Sequence, residues 1–252
     1  FIGYEKLEDT TVIADIIIDG KLSDKANQGQ EIILIFDRTP FYAESGGQVG
    51  DTGLIKNANV EIQVNNVTKS TNGLFLHHCK LSKGEVKKGD KVVDVKNRFA
   101  TMRNHTATHL LHKALKVVLG DHIQQAGSLV SPDRLRFDFN HFAQVSKEEL
   151  MKVEQLVNEQ IYNAIDVQTQ VMDIEDAKKT GAMSLFDEKY GETVRVLSIG
   201  DFSKEFCGGT HVKNSNDIGM FKIVSEGGVA SGVRRIEAIT GYSVYNFIVE
   251  KQ

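Results

Sequence analysis

From Phe1 to about Asn97, short apolar runs alternate with polar and turn residues. Thr11 to Ile18, Glu31 to Phe36, Val60 to Val67, Leu74 to Leu81 and Lys91 to Val95 have the length and two-residue period of strands. Asp19-Gly20 and Asn72-Gly73 supply turns between them. This pattern predicts an antiparallel barrel or sandwich. After Arg98 the period changes. Ala107, Leu110, Leu111, Ala114, Leu115 and Val118 recur at the spacing of one helical face, so a helix is predicted over Phe99 to Leu119, stopped by Gly120. A second helix is predicted from Ser146, with Glu149 completing a capping box, to about Ala164. Strands follow at Val167 to Met172, Thr193 to Ile199, Phe221 to Ser225 and Val233 to Thr240, and Tyr242 to Lys251 reads as helix. The fold class expected is α+β, with an all-β domain over residues 1–97 and a mixed α/β sandwich over residues 98–252.

Composition narrows the class. With 252 residues, 40% hydrophobic and 25% charged, the chain can bury two ordinary cores. No apolar run approaches the roughly 18 to 20 residues of a bilayer span, and no basic segment follows Phe1, so neither membrane segment nor signal peptide is read. A chain running from Phe1 to Gln252, its end inside a helical pattern, reads as part of something longer. Two cysteines in unlike contexts, Cys79 and Cys207, argue against a disulfide framework and for a reducing, cytoplasmic setting. A net charge of −4 argues against a protein that coats nucleic acid through a broad basic surface, so any such contact is local.

The candidate chemistry begins on the first helix. At about 100° per residue, His105, His109 and His112 fall within roughly 60° of one another, nearly opposite the Ala107/Leu111/Ala114 face. Imidazoles four residues apart suit one zinc ion, although such a pair alone is weak evidence. A hundred residues on, Phe206-Cys207-Gly208-Gly209-Thr210-His211 offers a thiolate and an imidazole across a glycine turn. Together the two motifs point to zinc held by His105, His109, Cys207 and His211. Three protein ligands would leave a position for an activated water; four would close the shell. A zincin peptidase is excluded because its general base follows the first histidine, where this chain has Thr106. His112 and the His77-His78-Cys79 cluster are left with structural roles.

Three glycine-rich stretches stand out: Ala43 to Gly53, the Cys207 turn, and Gly227 to Gly232. None ends in the Gly-Lys-Ser/Thr of a nucleotide loop, so no ATP site is read. Arg234 and Arg235 follow the last stretch, where amides and guanidiniums together could hold phosphate oxygens, with Lys178 and Lys179 extending the patch.

Arg38 to Gln48, Arg103 to Leu111 and Cys207 to His211, in that order, resemble the editing region of alanyl-tRNA synthetase, and the likeness covers essentially the whole chain. The free-standing alanyl-tRNA editing proteins share the same core. The resemblance implies a β-barrel before an α/β editing core, and hydrolysis of the ester linking serine or glycine to the 3′ end of tRNA(Ala). It carries the metal ligands to His105, His109, Cys207 and His211, and pocket-lining roles to Thr108 and Gln125. Gly208 and Gly209, with Arg234 and Arg235, are the candidate substrate contacts. In a full-length protein an aminoacylation domain would accompany this region. A domain whose zinc only helps to dock a tRNA end is the competing class.

Overall fold

In the computed structural model, which describes residues 1–96, 98–184 and 191–251, the chain is a mixed α+β protein whose sheets are largely antiparallel. It divides into two compact units, Phe1–Ser45 with Val49–Arg98, and Gly46–Gln48 with Phe99–Gln252. Residue 97, where the sequence puts the change of pattern, lies outside the described residues.

The first unit holds β1 (Glu8–Ile18), β2 (Lys21–Ser23), β3 (Lys25–Asn27), β4 (Glu31–Phe36), β5 (Gly53–Lys56), β6 (Glu61–Lys69), β7 (Phe75–Lys83), β8 (Glu85–Lys87) and β9 (Lys91–Lys96). Seven of these form one sheet in the order β2-β1-β4-β7-β6-β5-β9, β9 also pairs with β1, and β3 with β8 makes a separate ribbon. Alternation explains the burial: Ile32, Leu34 and Phe36 of β4 turn inward while Glu31 is exposed. In β6 the inward set runs Ile62, Val64, Val67, and a register shift between Val64 and Asn66 absorbs the odd residue. Asp19 and Gly20 both have positive φ, 50° and 76°, as a two-residue hairpin turn needs. Arg98 is fully buried at the end of the unit, its guanidinium donating to Asp51 and to the carbonyls of Gly3 and Pro40.

The second unit runs α1 (Phe99–Leu119), β10 (Gln125–Val130), β11 (Leu135–Asn140), α2 (Lys147–Tyr162), β12 (Val167–Asp173), α3 (Ile174–Lys179), β13 (Thr193–Ile199), β14 (Ser203–Phe206), a 3-10 turn (Ser215–Ile218), β15 (Phe221–Ala230), β16 (Val233–Thr240) and α4 (Tyr242–Glu250). One sheet has the order β10-β11-β16-β15 and another β12-β13-β14. Leu110, Leu111 and Leu115 of α1 and Val153, Val157 and Ile161 of α2 bury against Phe137, Phe139 and Ile236 of the four-stranded sheet. Burying each such side chain stabilises by roughly 1.5–3 kcal/mol. Gly120, at φ 116°, ends α1 in a conformation other residues avoid. The Ser146/Glu149 capping box opens α2 as its sequence predicts. Among the described residues no helix is long and apolar enough to cross a membrane.

Candidate metal centre

The site sits where α1 meets the segment that follows β14. The helix is buried on two sides: its leucines enter the apolar core, while His105 and His109, buried, face Cys207 and His211. Strand pairing carries Cys207 there, because β14 pairs with β13 through Phe206 and the Cys207 N–H continues the ladder to the Arg195 carbonyl. Arg195 then donates to the carbonyls of Cys207 and Gly209, at 3.1 and 2.7 Å, and clamps the turn. Gly209 is required by close approach: a methyl group there would overlap the His105 ring.

One nitrogen or sulfur from each of His105, His109, Cys207 and His211 lies within 4.8 Å of all the others. Cys207 Sγ is 3.2 Å from His211 Nε2 and 3.5 Å from His105 Nε2. Bonds of about 2.0 Å to nitrogen and 2.3 Å to sulfur in a tetrahedral zinc shell would put ligand atoms roughly 3.3–3.7 Å apart, close to the two sulfur–nitrogen distances.

The ring nitrogens turned away from the cluster are each engaged. His109 Nδ1 lies 2.9 Å from Glu205 Oε2 and donates to it. Thr106 gives its hydroxyl hydrogen to the Met102 carbonyl, so its oxygen accepts from His211 Nδ1 at 3.3 Å. His105 Nδ1 is 2.8 Å from Gln48 Oε1. His109 Nε2 and His112 Nε2 are both buried without a hydrogen-bond partner among the described residues, and of the two only His109 belongs to the cluster with Cys207, where a metal would complete it.

Electrostatics point the same way. Burial would push the Cys207 thiol up, but the imidazoles of His105, His211 and His109 outweigh it and hold it well below its usual value. Burial drives His211 down to about 3, which keeps it neutral. Glu205 is disfavoured as a carboxylate by burial, yet His109, then His112, hold its pKa below the usual range, while Glu205 and Cys207 together outweigh burial and raise His109. A thiolate and a carboxylate in one dry interior are costly unless compensated, and a divalent cation among the three Nε2 atoms and Sγ supplies that charge. The donor set therefore fits zinc.

The structure leaves other sequence expectations elsewhere. Thr108 is buried beside the ligands, and its hydroxyl donates to the Asn104 carbonyl one turn back, at 2.8 Å. Gln125 is half-buried at the start of β10, opposite Phe139, at a register shift. Gly208 is exposed on the turn. The glycines before Arg234 are not a loop: Gly227 and Gly228 lie in β15, opposite Arg235 and Arg234, and the reversal falls at Gly232. Both guanidiniums are occupied as bidentate donors, Arg234 to Glu226 and Arg235 to Asp138. Lys178 and Lys179 likewise pair with Glu175 and Asp176. The basic patch expected there is thus neutralised by carboxylates that lie three to about a hundred residues away in sequence. His112 donates to Glu205, His77 lies between Thr39 and Leu34, and His78 meets Thr68, which gives each a structural partner.

Three residues that complete the site are given no chemical role in the sequence. Thr106 excludes a peptidase and Gln48 lies in a glycine-rich stretch, each also within a motif that carries the resemblance, and Glu205 is passed over two positions before Cys207. Two-residue alternation carried one step past β14, which would put Glu205 on the side of Cys207, is the signal that could have found Glu205.

Comparison with known proteins agrees with this geometry. The family described as tRNA synthetases class II (A) matches residues 1–98, and that described as threonyl and alanyl tRNA synthetase second additional domain matches residues 194–237, which hold Cys207 and His211. The alanine–tRNA ligase of Listeria innocua is 52% identical over 255 residues, covering 100% of this chain and 29% of that protein. Those of Staphylococcus saprophyticus and Clostridioides difficile are 54% and 50% identical, covering 98% and 100% of this chain and 29% of each ligase. The chain spans under a third of the length of these relatives. With every part of it matched at this identity to a segment of such ligases, the chain belongs to the alanyl-tRNA synthetase family.

Proposed function

We propose that the chain is an editing region, an aminoacyl-tRNA hydrolase that removes serine or glycine wrongly attached to tRNA(Ala). The observation that carries this reading is the buried cluster of His105, His109, Cys207 and His211 in a chain of this family. The need for such an activity is physical. One methyl group changes binding by only about 1–3 kcal/mol, so a pocket that accepts alanine discriminates weakly against glycine, and serine's extra hydroxyl is also hard to reject.

In this reading the four cluster residues hold one zinc ion, which supplies a fixed positive charge to orient the terminal adenosine and the ester. Thr108 has given its hydrogen to Asn104, so its oxygen is left as an acceptor for a hydroxyl or amine of the misattached amino acid. Gln125 offers an amide to the same end or to the attacking water. Gly208 and Gly209 let the backbone approach the substrate without a side chain in the way. For Arg234 and Arg235, the existing ion pairs favour ordering of the β15–β16 hairpin over direct phosphate contact.

The partner is the acceptor 3′ end of tRNA(Ala), the wider protein carries an aminoacylation domain, and the setting is the cytoplasm. The barrel reading of the first unit is supported by pairings that lead from β1 through β4, β7, β6, β5 and β9 back to β1. The sandwich reading of the second is supported by α1 and α2 against the β10-β11-β16-β15 sheet. A ligase segment is favoured over a free-standing editing protein because the relatives that cover the chain are ligases. One observation supports a second reading, a zinc-dependent module that only docks the tRNA end: four protein side chains can fill a tetrahedral shell and leave no place for a bound water.

The test is a deacylation time course with Ser-tRNA(Ala) and Gly-tRNA(Ala), at low salt with protein in excess. Zinc-loaded protein should clear the ester much faster than buffer. An ester that stays as stable as in buffer, with tRNA still bound, would establish the docking module instead.

A further inference from the structure

We propose that Gln48 is a positioning residue of this centre: its side-chain oxygen fixes His105 with the proton on Nδ1 and ties the Cys207–His211 turn to α1. The proposal rests on the zinc reading above and adds to it a residue that lies 57 positions before the first ligand.

Gln48 is fully buried. Its amide orientation follows from its neighbours. The Thr210 backbone N–H points at the terminal atom 2.9 Å away, and a backbone N–H can only donate, so that atom is the oxygen. The same oxygen is 2.8 Å from His105 Nδ1, which must therefore carry the hydrogen. His105 Nε2 is left with its lone pair directed at the cluster, 3.5 Å from Cys207 Sγ. The Gln48 amide nitrogen donates to Thr210 Oγ1 at 2.9 Å and completes the set. One buried amide thus selects the tautomer of a ligand on the helix and anchors the turn that brings the other two.

The loop that delivers Gln48 is itself seated in the second unit. Val130 N–H donates to the Gly47 carbonyl at 2.8 Å, and Gln48 bridges to Val130. Gly47 has φ of 81°, and a methyl group on it would stand 2.8 Å from the Ser128 carbonyl oxygen, so the close fit needs glycine. Gly209 shows the same economy of space, since a methyl group there would reach both the His105 ring and Gln48.

Partners that hold a ligand histidine through its second nitrogen typically contribute 10- to 100-fold to metal affinity. Two measurements on the 252-residue chain test the assignment. Zinc affinity, by competition with a chelator, should fall about 10- to 100-fold in Gln48→Met, which keeps the shape and loses the acceptor. It should return to within a few-fold of native in Gln48→Glu, whose carboxylate accepts from the same two donors. In long-range nitrogen–proton NMR spectra of the unsubstituted zinc-loaded protein, His105 should appear as the Nδ1–H tautomer. That readout decides the matter even if Gln48→Met fails to fold. Native zinc affinity in Gln48→Met overturns the role of Gln48 alone, and a His105 proton on Nε2 overturns that role and takes His105 Nε2 out of the zinc shell as well. Failure of the unsubstituted protein to bind zinc overturns this role and the zinc reading together.

Discussion

His77 and His109 are both buried imidazoles, and their surroundings send them in opposite directions. His77 faces neutral partners: it donates from Nδ1 to the Leu34 carbonyl and accepts at Nε2 from Thr39, and burial lowers it from 6.5 to about 4. His109 faces the Glu205 carboxylate and the Cys207 sulfur, which together outweigh burial and raise it. For His77 the unfolded chain takes up a proton before the folded one does. Its contribution to stability is therefore complete above about pH 6.5 and is lost as the pH falls toward 4, by up to about 3 kcal/mol. Urea midpoints at pH 7 and pH 5 should fall further apart in the native chain than in His77→Gln; equal shifts would count against this account. Thr108 yields a second expectation. In the proposed pocket Thr108→Val removes an oxygen that would accept from serine's hydroxyl, so Ser-tRNA(Ala) deacylation should drop by about tenfold, the worth of one hydrogen bond of about 1–1.5 kcal/mol, while zinc content holds. An unchanged preference between seryl and alanyl esters would remove Thr108 from the pocket. The ligand residues were legible in the sequence because their spacing is chemical. Glu205, Gln48 and the partners of Arg234 and Arg235 were not, because a hydrogen bond to a distant residue leaves no local pattern.

Among the elements, those with long periods or strong end signals were readable. α1 matches its predicted Phe99–Leu119, since one apolar stripe and Gly120 define it. Strands β2, β3, β5 and β8 have three or four residues, too few for a period to show. β10 buries Val130 alone, and its Gly127 and Ser128 read as loop. β11 does alternate, with Leu135, Phe137 and Phe139 inward, but only over six residues. Gly227 and Gly228 looked like a turn, yet ladder bonds to β16 hold them in a strand whose far end is exposed. The capping box of α2 allows a test at this scale. Ser146→Ala removes the acceptor for the Glu149 N–H and should lower unfolding free energy by about 1 kcal/mol, measured by urea denaturation. A change below about 0.3 kcal/mol would show that the box contributes little there.

For the molecule as a whole, the change of pattern after Arg98 marks where a strand-built unit gives way to a helix-bearing one. What it hides is that Gly46–Gln48 packs with the second unit, because a three-residue excursion has no signature in composition. The net charge is −4, and Arg234, Arg235, Lys178 and Lys179, the cations expected to meet phosphate, are held in ion pairs. Binding of tRNA by this segment should therefore weaken gently with salt, with a log–log slope that reflects about one to three phosphate contacts. A slope several times steeper would reveal a basic surface other than these four residues. Above all, the account depends on four side chains from two distant stretches sharing one ion. Zinc X-ray absorption on the purified chain, with metal counted per chain, tests this most directly. The account predicts one zinc with one sulfur at about 2.3 Å and nitrogens at about 2.0 Å, the sulfur lost in Cys207→Ala. A zinc shell without sulfur, or a chain that takes up no zinc, would contradict it.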